Sequence, residues 1–276
     1  MSIADAVVAF IEQERQGHGQ PLVVALQGAQ GCGKSYTAAY VHKHFTARGV
    51  HVAVLSLDDL YLPHEELVAV GHANPRNPLL QGRGQPGTHD IALGTRILHS
   101  LREQKQGEIE LPVYDKSAHR GLGDRAHEVV KVSPPIDVVI FEGWCLGFSP
   151  VPDAELAARV AAAGISHDVD IMRPINEKLR EWERQWYPLI DAYVKLIPTG
   201  GGHSRWDIVH TWRLQAEHAM KAKNGGNGMS DEAVHAFVER YIPTYRLYGE
   251  SVGAWPGHTL CLSIEADRRL IDIRKL

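Results

Sequence analysis

The sequence has no apolar run that approaches membrane-spanning length, which argues against a helical membrane protein. It has no basic excess either. Its 29 Lys and Arg stand against 33 Asp and Glu, a net charge of −4. With no bulk positive field, neither nucleic acid nor an anionic membrane is an expected partner. Cysteine is scarce. Cys32, Cys145 and Cys261 are odd in number and lack metal-ligand spacing, which excludes a disulfide framework and favours a reduced, cytoplasmic setting. The chain has 16 histidines, yet none forms an H-x-x-x-H pair on a helix with a third ligand in sight. The apolar piece Ala6-Val-Val-Ala-Phe-Ile11 is short for a signal segment and has no basic residue before it. No internal repeat or linker-like tract divides the chain. The composition, 44% hydrophobic and 22% charged over 276 residues, is that of a globular protein with one sizeable core. One domain spanning 1–276 is expected, monomeric or a weak dimer.

What is present centres on Leu22-Val-Val-Ala-Leu-Gln-Gly-Ala-Gln-Gly-Cys-Gly-Lys-Ser35. Gly28, Gly33, Lys34 and Ser35 complete the pattern G-x-x-x-x-G-K-[ST]. An apolar run precedes it and a helical pattern from Tyr36 follows, the context the motif requires. Glycines let successive N–H groups curl towards one anion, and the helix N-terminus adds its dipole. Gly28, Ala29, Gln30, Gly31, Cys32, Gly33, Lys34, Ser35 and Tyr36 are therefore assigned to a nucleoside triphosphate. Lys34 reaches the β- and γ-phosphates, and Ser35 reaches Mg²⁺.

Residues 2–16 read as a covering helix at 1–19. The run His51-Val-Ala-Val-Leu-Ser-Leu57 reads as the next parallel strand, with Asp58 and Asp59 at its carboxyl end, where ligands of open α/β sheets sit. A Gly- and Pro-rich loop fills 72–90, and Thr88 is a candidate cap for a helix over 90–104. A short strand over 108–113 leads into a polar loop over 114–125. Ile136-Asp-Val-Val-Ile-Phe-Glu142 is a buried strand ending in a carboxylate. The Ala-rich piece 152–166 reads as an insertion. Helices follow over 176–189, over 206–223 and from an N-cap at Ser230 through Phe237, Tyr241 and Tyr245. Strands are expected over 191–197 and 259–264. Glycine turns at 200–203 and 225–228 bound a lid at about 200–228. Trp206, Trp212 and Tyr241 read as core.

Asp58 is the expected base, or orienter, for a hydroxyl attacking the γ-phosphate, because phosphoryl transfer needs positioning and charge neutralisation above all. Glu142 joins Ser35 and Asp58 around Mg²⁺. Arg83, His89, Lys116, Arg120 and Arg125 lie on the two glycine-bearing loops and suggest capture of a small anionic acceptor. Arg213 is either a lid residue that neutralises transferred charge or the partner of Glu217 at i+4.

Together these stretches resemble the P-loop small-molecule kinases that include uridine kinase, pantothenate kinase and phosphoribulokinase, and most of all the D-glycerate 3-kinase family. The carrying residues are the phosphate loop, Ser56-Leu-Asp-Asp-Leu-Tyr61, Arg83-Gly-Gln-Pro-Gly-Thr-His-Asp90 and Tyr114-Asp-Lys-Ser117 with Gly121-Leu-Gly-Asp-Arg125. Further ones are Glu142-Gly-Trp144, Asn176-Glu-Lys-Leu179, Trp212-Arg-Leu-Gln-Ala-Glu217 and Gly228-Met-Ser-Asp231 with Phe237-Val-Glu-Arg-Tyr241. The resemblance implies an α/β fold, a doubly wound parallel sheet of about five strands with a helical lid. It implies ATP and Mg²⁺ as co-substrates, and catalytic roles for Lys34, Asp58 and Arg213. Tyr61, Arg83, His89, Tyr114, Lys116, Arg125 and Glu142 would join Asp58 around the acceptor. In uridine kinases the corresponding Tyr-Asp is followed by an aromatic that faces the base. Lys116 stands there in this chain and suits a carboxylate, so D-glycerate is the expected acceptor and 3-phosphoglycerate the product. Segment 152–166 and the turn at Gly200 do not match the family. Two alternatives stay open: a kinase of a nucleoside, sugar or other acceptor, and a nucleotide-dependent switch. Against the second, the chain has no guanine-reading Asn-Lys-x-Asp motif.

Overall fold

A computed structural model describes residues 1–276 apart from 20, 201, 203, 223, 224, 227 and 252–254. Its strands, in chain order, are β1 (Leu22–Gly28), β2 (Val52–Ser56), β3 (Ile109–Asp115), β4 (Asp124–Val132), β5 (Val138–Gly143), β6 (Ala192–Pro198), β7 (Thr259–Ile264) and β8 (Leu270–Lys275). The helices are α1 (Ile3–Glu14), α2 (Lys34–Thr46), α3 (His64–Ala73), α4 (Ile91–Glu103), the single turn α5 (Ala118–Gly121), α6 (Asp153–Ala162), α7 (Val169–Gln185), α8 (Ile208–Lys221), α9 (Asp231–Glu239) and α10 (Ile242–Tyr248). The main sheet runs β2-β5-β1-β6-β7-β8. The first five of these are parallel, and β8 returns antiparallel to β7.

Strands β1, β5, β6 and β7 are buried at every residue, as parallel strands covered on both faces must be. The parallel register then decides the site. Leu26 pairs with Glu142, and Glu142 pairs with Ser56, so β1, β5 and β2 end side by side. The expected five parallel strands are present. Strand β8 is an addition: its residues are mostly exposed, and Asp272, Arg274 and Lys275 put charge on a sheet edge, which discourages pairing with another chain.

Other differences have local causes. The polar loop expected over 114–125 is the tip of an antiparallel β3–β4 hairpin, in which Tyr114 pairs with Arg125 and Asp115 with Asp124. Strand β4 has no buried residue, hence no apolar alternation to betray it. The cap of α4 is Asp90, which accepts from the Leu93 N–H at 2.9 Å. Thr88 instead stitches the preceding loop, donating to the Gln85 carbonyl at 2.7 Å and accepting from the Gly84 N–H at 3.0 Å. Helix α7 begins at Val169, well before position 176, and the Ala-rich insertion forms α6 against it. The helix from Ser230 breaks between α9 and α10, with Pro243 in the first turn of α10. Of the two glycine turns, Gly201, His203 and Asn227 lie outside the described residues, as do Lys223 and Asn224.

Trp182 and Trp186 of α7 and the residue after it stack at 4.8 Å in the core. Gly94 of α4 makes room for them. A Cβ there would lie 2.6 Å from Trp186 Cζ2 and 2.9 Å from Leu60 Cδ1. Gly to Ala inside a helix ordinarily gains about 0.5–1 kcal/mol. Here overpacking outweighs that gain, and Gly94→Ala is expected to destabilise by about 1–3 kcal/mol. A urea midpoint that falls with an unchanged slope supports this; a midpoint that rises contradicts it.

Candidate active site

The phosphate loop leaves β1 at Gly28 and enters α2 through Gly33. Gly33 has φ +102° and caps α2 without a side-chain bond, so the first N–H groups of the helix have no side-chain acceptor at the cap. Gly31 is also left-handed, φ +74°, and a Cβ there would lie 2.7 Å from the Trp212 carbonyl oxygen. The loop is braced from outside by residues without a sequence signal. Arg268 Nε donates to the Gly31 carbonyl at 2.7 Å, and Tyr245 Oη accepts from the Gln30 N–H at 3.1 Å. Lys34 folds over the loop, its Nζ donating to the Ala29 carbonyl at 3.2 Å. The Tyr36 side chain is exposed.

Ser35 Oγ donates to Glu142 Oε1 at 3.0 Å, and Ser56 Oγ approaches the same oxygen at 3.3 Å. Glu142 is only 7% exposed, and among the described residues it has hydroxyl partners but no ion pair. A buried carboxylate beside a serine hydroxyl is a hard-oxygen donor set that fits Mg²⁺.

The chain after β2 turns at once into a single 3₁₀ turn, Leu57–Leu60, capped by Ser56. The turn sends its two acids in different directions. Asp58 Oδ2 meets Lys116 Nζ at 2.6 Å, with the two side chains 32% and 56% exposed at the mouth of the site. Burial works to raise the Asp58 carboxyl. The Lys116 ammonium, helped by Lys34, outweighs it and holds the carboxyl at about 2. Asp58 in turn raises Lys116 above the usual ammonium value. Asp59 points to the hairpin, where Oδ1 accepts from the Tyr114 N–H at 3.0 Å.

The remaining predicted residues surround this pair. Tyr61 and His89 form an antiparallel bridge that closes the 72–90 loop onto the 3₁₀ turn. The His89 ring packs 4.4 Å from Tyr61 and 5.2 Å from Trp182, and neither of its nitrogens has a partner among the described residues. Burial pushes this imidazole down to about 3, although Asp58 opposes it, so His89 is neutral and not a cation. The Tyr114 ring lies against Tyr61 and under Arg83, with its hydroxyl buried and unpartnered. Burial raises that hydroxyl to about 12, Arg83 opposing. Arg83 donates to the Gly121 carbonyl at 2.7 Å and also to that of Leu122. Arg125 spans the Tyr61 carbonyl, at 3.0 Å, and Asp90, at 3.2 Å. Both arginines hold the loops in shape, and Lys116 is the cation in contact with Asp58. Arg213 pairs with the buried Glu217 at 2.7 Å and lies over Phe237.

No family model matches the chain. A solved D-glycerate 3-kinase from Cryptococcus neoformans is 37% identical, with a TM-score of 0.90 over 100% of both chains. The chain belongs to the D-glycerate 3-kinase family of P-loop kinases. An uncharacterized kinase of Schizosaccharomyces pombe, mug58, is 36% identical over 89% of this chain and 87% of its own. The chloroplastic D-glycerate 3-kinase of Arabidopsis thaliana is 36% identical over 91% of this chain, which spans 54% of that protein.

In this kinase Asp59 is the acid whose charge the fold disfavours. Burial raises its carboxyl to about 6, and Asp58 and Glu142 add to the rise. The ordinary carboxyl value is 3.8, so the unfolded chain ionises first. The cost is absent at low pH, grows above pH 4 and is complete above pH 6. Asn at this position keeps the acceptor for the Tyr114 N–H without the charge. Asp59→Asn is expected to be more stable than the parent at pH 8, by about 1–2 kcal/mol after allowance for solvent screening. The advantage vanishes at pH 4. Denaturant titrations at both pH values check this, and an equal difference at the two contradicts it.

Proposed function

We propose that this kinase transfers the γ-phosphoryl group of ATP to a hydroxyl of a small carboxylate, D-glycerate giving 3-phosphoglycerate. The observation that carries the reading is the 2.6 Å contact between Lys116 and Asp58 beside the phosphate loop. A cation and an acid in contact there support the reading, because an acceptor's carboxylate and hydroxyl would use one each. The family relationship, which includes proteins named for that substrate, supports it.

The loop amides from Gly28 to Gly33 and the N-terminus of α2 hold the triphosphate, with Lys34 on its outer phosphates. Ser35 and Glu142, with Asp58 nearby, would hold Mg²⁺, which supplies neutralisation of the phosphate charge. The acceptor carboxylate takes over Lys116. Asp58, released from its ion pair, accepts the hydrogen bond of the acceptor hydroxyl and aims its oxygen at the γ-phosphorus. The new O–P bond forms as the bond to the β–γ bridging oxygen breaks. The hydroxyl proton passes to Asp58, and ADP departs. A carboxylate of ordinary basicity suffices, because the loose transition state asks for orientation before proton removal. His89, neutral and with both ring nitrogens buried, would hydrogen-bond the acceptor's remaining polar groups.

The test is ADP release from ATP against a panel of glycerate, sugars and nucleosides. Turnover is expected with D-glycerate. Asp58→Asn is expected to lower kcat by about 10²–10⁴ while leaving the KM for ATP nearly unchanged. Lys116→Gln is expected to raise the KM for glycerate by roughly tenfold to a hundredfold, the loss of one charge-assisted contact. Inert glycerate rejects the substrate, and full turnover by Asp58→Asn rejects the mechanism.

A further inference from the structure

Helices α8 and α9 lie antiparallel. His218 and Asp231 meet at 2.8 Å at one end, and His210 meets Glu239 at 3.0 Å towards the other. At that second end three potential ligands converge. His210 comes from the first turn of α8; His235 and Glu239 come from α9, one turn apart and therefore on one face. The His210 and His235 rings stack at 4.4 Å, and one donor atom from each of the three residues lies within 4.8 Å of the others. Nδ1 of His210 is buried with no partner among the described residues. Neither the phosphate loop nor the acceptor residues take part in this cluster.

We propose that His210, His235 and Glu239 form a binding site for a borderline divalent cation of the Zn²⁺ class, which braces α8 against α9. Two imidazole nitrogens and one carboxylate oxygen are the donor set such ions prefer, with water completing a tetrahedron. The hard Mg²⁺ of the phosphate site does not compete well for nitrogen. A ligand histidine must be neutral. Burial, and then the neighbouring His235, hold His210 below the usual imidazole range, although Glu239 opposes them. The rings stack face to face, so binding turns at least one of them out of the stack to bring both in-plane lone pairs onto one ion. Among the described residues three ligands are available, so the site is open on one side and exchanges its metal with solution.

The brace has a defined neighbour. Arg213 follows His210 by three residues on α8, and its guanidinium lies 5.6 Å from the Phe237 ring, midway between His235 and Glu239 on α9. A bound ion fixes the helix pair in the arrangement that packs Arg213 on Phe237 and pairs it with Glu217.

The experiment is a Zn²⁺ titration of the full chain against a chromophoric chelator, with Co²⁺ absorption as a readout of coordination. One equivalent is expected to bind with a dissociation constant on the order of micromolar, and the Co²⁺ spectrum to be that of a four-coordinate ion. His235→Ala and Glu239→Gln, both at exposed positions, are expected to weaken binding at least about tenfold. His218→Ala, which removes the histidine–carboxylate pair with Asp231 on the same helices, is expected to leave it unchanged. Undiminished Zn²⁺ binding by His235→Ala, or no saturable binding to the parent below about 100 µM, overturns the site.

Discussion

The structure depends on a parallel register. Because Leu26 lies beside Glu142 and Glu142 beside Ser56, three strands end on one line, and every chemical group of the site is hung from that line. The phosphate loop continues β1, Glu142 ends β5, and the Asp58 turn continues β2. A slip of one residue in β5 or β2 would turn Glu142 or Ser56 to the opposite face of the sheet, and a slip in β1 would move the phosphate loop against both. The full burial of β1 and β5 opposes such a slip, since the apolar side chains on both faces would lose their packing. The core thus does more than stabilise: it sets the distance between the phosphate loop and Asp58, the acid proposed to serve the acceptor.

Around this frame the electrostatics are divided between neighbours. Asp58 and Asp59 are adjacent in sequence, yet one carboxyl is held near 2 and the other near 6. Lys116 accounts for the first and burial for the second. Asp58 is therefore ionised throughout the physiological range, the state that the proposed mechanism requires, while the side chain of its ammonium partner is exposed. A lysine paired with the acid, and not a bidentate arginine, suits the proposed exchange of partners when an anion arrives. The two nearby arginines are spent on backbone carbonyls and Asp90, where their fixed planar donors hold loops in place.

Much of this was legible in the residues. The glycine loop carries its own mechanism, and the apolar runs around it report the buried strands without ambiguity. Asp58 and Glu142 follow from strand ends alone. What escaped did so for physical reasons. Strands β4 and β8 are exposed, so they lack the apolar pattern that marks a strand. Thr88 and Asp90 are both good caps, and only tertiary hydrogen bonds decide between them. Arg83 and Arg125 look like anion ligands in a sequence, which does not reveal that carbonyl oxygens also lie within their reach. His89 reads as a cation until its burial is known. Arg268 and Tyr245 brace the phosphate loop from more than 200 positions away, a distance no local pattern spans.

The central claim is that an anionic acceptor replaces Asp58 as the partner of Lys116 and leaves Asp58 facing the hydroxyl. A crystal structure with a non-hydrolysable ATP analogue and D-glycerate tests it most directly. The account predicts the glycerate carboxylate on Lys116 Nζ and a glycerate hydroxyl on Asp58, in line with the terminal phosphate. An intact Lys116–Asp58 contact, with glycerate bound elsewhere, would contradict it.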